Sequence, residues 1–131
     1  MRGALALALV AIVAAGAALA DVKRRETVPE SLWGKWAPSP ELCATGDRAN
    51  IELSAKAYLR QGANCGVRWV SEVPGLDGPI YSAHIACPND QGGGQARESN
   101  VVFVPTRDPN KFSVGADFDN LTDLQRCAPK Q

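Results

Sequence analysis

Alternation of apolar and polar residues with a period of two, repeated in short runs, is the feature that most limits what this chain can fold into. The runs "NIELS" (50–54), "CGVRWV" (65–70), "IYSAHIAC" (80–87), "NVVFVP" (100–105) and "KFSVGA" (111–116) are rich in Val, Ile, Phe, Tyr and Trp, which suit a pleated, half-buried surface. Between them lie "PGLDG" (74–78), "PNDQGGG" (88–94) and "RDPN" (107–110), whose Gly, Pro, Asn and Asp supply or preset turn angles. Adding "LWGKW" (32–36), "AYLR" (57–60) and "LTDLQRC" (121–127) makes about eight short strands. A helix could claim only 52–60 or 121–127, and both are shorter than a helix needs to hold itself. The expectation is therefore all-β: a small antiparallel meander, closed as a barrel or folded as a sandwich.

The same alternation assigns faces. Cys65, Val67 and Trp69 should share one face of their strand, and Tyr81, Ala83, Ile85 and Cys87 one face of theirs. Trp33, Trp69 and Tyr81 are then candidates either to line a ligand cavity or to fill the core of a small barrel.

The first residues do not belong to this pattern. Met1 and Arg2 make a short positive start, followed by an Ala/Leu/Val run ending Ala18-Leu19-Ala20, the small-x-small sequence a signal peptidase accepts before Asp21. Residues 1–20 read as a secretory signal, 21–30 as a charged N-terminal arm cut off by Pro29, and 31–131 as one β domain. The apolar run is short for a spanning helix and dominated by alanine, so no stable membrane insertion is expected after cleavage. The alanine-rich leader suits a periplasmic or secreted protein. Lys plus Arg and Asp plus Glu each number 14, and losing Arg2 leaves one acidic side chain in excess. That balance argues against nucleic acid, which needs a concentrated positive surface.

Cys43, Cys65, Cys87 and Cys127 are spaced 22, 22 and 40 residues apart, unlike the close pairs of a zinc site. With an export signal they read as two disulfides. Three pairings are open. Cys43 with Cys65 and Cys87 with Cys127 is the preferred one, because each bridge then closes an independent loop.

Gly34-Lys35-Trp36 is a G-x-W on the first strand of the domain, and Arg126 lies close to the C-terminus. This arrangement resembles the calycin proteins, including lipocalins, avidin-like barrels and small bacterial metalloprotease inhibitors. The resemblance implies that the tryptophan closes the base of a barrel, with the late arginine packed across it. It also implies a non-enzymatic binding role, and in the inhibitors the N-terminal segment enters the protease active site. The chain is shorter than a lipocalin, and it has four cysteines where the inhibitors usually have one disulfide.

The remaining polar features read as structure. His84 is the only histidine, which excludes a His-based metal cluster and leaves an ordinary surface or hydrogen-bonded imidazole. Asp117, Asp119 and Asp123 lack the register of an EF-hand and read as a solvated turn. Asn120-Leu121-Thr122 matches a glycosylation acceptor, and "QGGGQ" (91–95) lacks the lysine of a phosphate loop. No nucleophile motif is present. The expectation is a binding protein without catalysis, cofactor or metal, whose partner is an unknown small ligand or exported protein. Two alternatives stand beside it: an inhibitor of an exported protease acting through residues 21–29, and a structural domain of the cell envelope.

Overall fold

The computed structural model describes residues 22–88 and 95–129; the leader, Asp21 and most of the "QGGGQ" loop lie outside the described residues. Nine strands form: β1 (Lys23–Arg25), β2 (Gly34–Ala37), β3 (Ile51–Ser54), β4 (Ala57–Arg60), β5 (Ala63–Val73), β6 (Ile80–Cys87), β7 (Arg97–Pro105), β8 (Lys111–Gly115) and β9 (Leu121–Arg126). Short 3₁₀ turns at Glu30–Leu32 and Pro40–Ala44 flank β2. Both stretches a helix could have claimed are strands.

From β2 to β9 each strand pairs antiparallel with the next, and β2 also pairs with β9, placing Trp36 opposite Arg126. The result is a closed eight-stranded up-and-down barrel with no open edge between first and last strand. Its interior holds Trp36, Leu53, Val70, Ala83, Phe103, Phe112 and Leu124, all nearly or fully removed from solvent. Phe112 meets Trp36 edge-on at 4.3 Å between ring centres, and Phe103 meets Phe112 at 5.8 Å.

Three expectations are corrected. The first is the N-terminal arm. Lys23, Arg24 and Arg25 form β1, pairing with Glu72, Ser71 and Val70 of β5. Strand β5 is long: β4 covers only its first half, at Ala63–Gly66, so the second half leaves ladder groups that β1 satisfies. Arg25 Nε donates to Glu72 Oε1 at 2.8 Å. Val28, almost wholly buried, donates its N–H to the Ala55 carbonyl at 2.9 Å. Pro29 begins the 3₁₀ turn and does not sever the segment.

The second correction is the disulfide pairing. Cys43 bonds to Cys127 and Cys65 to Cys87. Closure makes β2 and β9 neighbours, and the Cys127 N–H reaches the Lys35 carbonyl at 2.8 Å; the Cys43–Cys127 bridge therefore crosses the seam of the barrel. Cys65 and Cys87 flank the paired residues Gly66 and Ala86 on adjacent strands, with Cα atoms 4.1 Å apart. Independent loops were the wrong criterion, because a closed meander brings its most distant strands together.

The third is the face of Trp69. On β5, Val67 opposes Ile85 and Trp69 opposes His84, so Arg68 is an extra residue in a β-bulge. A bulge shifts the alternation by one. Cys65 and Val67 face inward as expected, but beyond the bulge Val70 and Glu72 take the inward positions and Trp69 turns outward.

Candidate functional site

The two ends of the barrel are built differently. At one end the segment around residues 28–33 packs against the barrel mouth. Trp36 Nε1 donates to the Leu32 carbonyl at 2.9 Å, and Trp33 Nε1 to the Val28 carbonyl at 2.8 Å. Arg126 lies over the Trp36 ring, its guanidinium carbon 4.2 Å from the ring centre. Its Nη1 and Nη2 donate to the Trp33 and Ser31 carbonyls, both at 2.6 Å, and its Nε to Asn110 Oδ1 at 3.2 Å. Gly34 has φ +120°, and a β-carbon there would sit 3.3 Å from Arg126 Nη1, so both backbone conformation and space favour glycine. Gly34, Trp36 and Arg126 thus form a plug in which each polar group of the guanidinium has a partner.

The opposite end is open. It leads into a cavity of about 530 Å³. Ile51, Ile85, Val101 and Val114 form its walls, with Tyr58 and the Cys65–Cys87 bridge. Arg48, Arg60, Ser99, Asn120 and Thr122 stand among the lining residues. The wall residues belong to the buried core cluster, whereas Arg48 and Arg60 are exposed.

Register explains why a charged residue stands at this mouth. On β4, Tyr58 opposes Leu53 and Arg60 opposes Ile51; both partners face the interior, so Arg60 occupies an inward position at the last rung. Burial pushes the pKa of the Tyr58 hydroxyl up, and the charge and hydrogen-bonding reach of Arg60 pull against it. Thr122, opposite Val114, is likewise inward on β9. The β8–β9 loop adds Ala116 and Asn120 to the lining and carries the exposed Phe118.

Of the three aromatic residues offered from sequence either to line a cavity or to fill the core, none is among the residues lining this cavity. Trp33 is part of the plug. Tyr81 is buried deeper in the barrel, opposite Phe103 and Glu72, where burial first and the Glu72 charge second push its pKa up. Trp69, on the outer wall, stacks on His84 at 4.1 Å with the Arg24 guanidinium carbon 4.4 Å from its ring centre. His84 Nδ1 lies 3.1 Å from Asn100 Oδ1, and its Nε2 3.7 Å from Glu98 Oε1, a hydrogen-bonded surface imidazole.

The aspartates are separated. Asp117 takes the Asp119 N–H and the Asn120 amide in a tight turn, while Asp123 accepts from the Ser113 hydroxyl. Among the described residues no group of three or more His, Cys, Asp or Glu side chains could hold a metal ion.

Cys65, Cys87, Asn120 and Thr122 were named from sequence for other reasons, but no residue was read as lining this cavity, because that requires knowing which end is plugged. The available signal was the position of Arg60 two residues beyond Tyr58 on one strand, where alternation puts both on one face.

The architecture is consistent with a calycin-like barrel. The sequence matches no protein-family model, no curated protein and no solved structure. Two disulfides point to an oxidising, extracellular-type compartment, and among the described residues no helix is long and apolar enough to cross a membrane.

Proposed function

We propose that this is a non-enzymatic binding protein of the periplasm or extracellular space that takes a small, largely apolar molecule into the open end of its barrel. The observation that carries this reading is the asymmetry of the ends: one is sealed by Trp36 and Arg126, while the other opens into a cavity of about 530 Å³ with aliphatic walls. A volume in this range suits a small ligand, and burial of apolar ligand surface supplies the driving force. The likeness to calycin barrels, some of which carry ligands inside, supports the same assignment.

The inhibitor alternative is weakened by β1. Residues 23–25 are fastened by the ladder to β5 and by the Arg25–Glu72 ion pair, so entry into a protease cleft would first require them to detach.

Titration with a neutral naphthylamine fluorophore tests the pocket. Binding should be saturable and should be lost in Val114→Phe, which fills the cavity from its wall, with the protein still folded by circular dichroism. Unchanged binding in that variant would move the ligand elsewhere. Inhibition of exported proteases that disappears on deleting residues 21–27 would transfer the assignment to the inhibitor class.

A further inference from the structure

The cavity lining is chemically one-sided. It contains two arginines, Arg48 and Arg60, and no aspartate or glutamate. Among the described residues neither arginine forms a salt bridge; the pairs that exist join Arg25 to Glu72, His84 to Glu98 and Arg107 to Asp77. Asp47, next to Arg48 in the chain, accepts the Ala49 N–H at 2.8 Å through Oδ1, and Asp117 of the β8–β9 loop is held in its own turn. Neither lines the cavity. Arg60 is the more telling of the two, since an inward strand position in a small barrel is ordinarily apolar and this one carries a permanent charge.

Burial and polarity therefore divide the lining in the same way. Arg60 is the cross-strand partner of Ile51, Ser99 of Ile85 and Thr122 of Val114, and on these shared rungs the aliphatic side chains, with Val101, are buried while Arg48, Arg60, Ser99 and Thr122 are exposed to solvent. We infer that the ligand is a small amphiphile with a single anionic headgroup: a short alkyl or other apolar tail against the aliphatic walls, and a carboxylate, sulfate or phosphate oxygen between Arg48 and Arg60. A guanidinium binds such oxygens with two parallel N–H groups. The same two charges disfavour cationic amphiphiles of identical tail. This inference rests on the reading of the open end as the binding pocket and adds the class of ligand.

The test is isothermal titration calorimetry of the mature protein with octanoate, octyl sulfate, octanol and octylamine at low salt, on wild type and on Arg48→Gln/Arg60→Gln. Both arginines are exposed, so the double variant should fold. In wild type at least one anion should bind about tenfold more tightly than octanol, and octylamine more weakly than octanol. Which anion binds distinguishes a planar from a tetrahedral headgroup. In the double variant the anion should fall to the affinity of octanol, with octanol itself unchanged. Added salt should erode the preference in wild type only. Equal binding of octanol and both anions in wild type, or a preference that survives the double variant, would overturn the anionic assignment while leaving the pocket standing. If none of the four binds and the neutral fluorophore also fails, the pocket reading falls, and the headgroup assignment with it.

Discussion

Arg126 and Arg60 face the interior of the same barrel from opposite ends, and their surroundings could hardly differ more. Arg126 donates to the Ser31 and Trp33 carbonyls and to Asn110, lies on Trp36, and is almost removed from solvent. Arg60 stands at the other mouth beside the Tyr58 hydroxyl, exposed, with a cavity below it. A buried guanidinium is tolerable only when its donors are satisfied, and the carbonyls of residues 31–33 meet that need by folding over the barrel end. No chain segment described here does the same for Arg60. One arginine is bound into the sealed end of the barrel, and the other stands exposed at the open mouth.

The largest effects should come from the bridges and the plug. In the chain-entropy account, the Cys43–Cys127 loop of 84 residues is worth about 4.6 kcal/mol and the Cys65–Cys87 loop of 22 residues about 3.4 kcal/mol. Double serine variants compared by chemical denaturation should follow that order. Equal or reversed losses would show that the seam at the plugged end does not dominate, and non-reducing peptide mapping that recovers Cys43 joined to Cys65 would refute the pairing.

Trp36→Ala should cost about 3–5 kcal/mol, as for any large aromatic removed from a close-packed interior. A loss below about 1 kcal/mol would mean the plug is not a structural element.

Arg126→Met should cost about 2–3 kcal/mol, because two part-buried carbonyls lose charged donors. Arg60→Met should change stability by no more than about 0.5 kcal/mol, as expected of an exposed side chain that reaches the Tyr58 hydroxyl and no backbone carbonyls of a sealed end. Comparable losses for the two would erase the contrast between the ends.

The smallest effect concerns alkaline pH. Burial raises the folded-state pKa of Tyr58 and Tyr81, so the neutral phenols stabilise the fold below the unfolded pKa of about 10. That contribution is lost as pH rises from there through the folded values. Tyr58→Phe should flatten part of the decline in stability above about pH 10, measured by denaturation at a series of pH values. A profile identical to wild type would show that Tyr58 ionises as freely as in the unfolded chain, and hence that the cavity floor is wetter than its lining indicates.

What the sequence determined by itself is local. Strands β2–β9, their turns and the inward face of β6 all follow from alternation and turn chemistry, which act over a few residues. The pairing of Gly34, Trp36 and Arg126 was legible only through a resemblance, since β2 and β9 are joined by closure and no local rule links them. The fate of residues 22–28 was decided by the uncovered half of β5, a vacancy that exists only once β4 has ended short of it. Trp69 was misplaced because one extra residue, Arg68, reverses the alternation, and a bulge leaves little mark on composition. The disulfides and the cavity depend on the same closure. Barrel formation turns distance along the chain into adjacency in space, and that adjacency decides which cysteines meet, which end is sealed and which arginine is left at the open mouth.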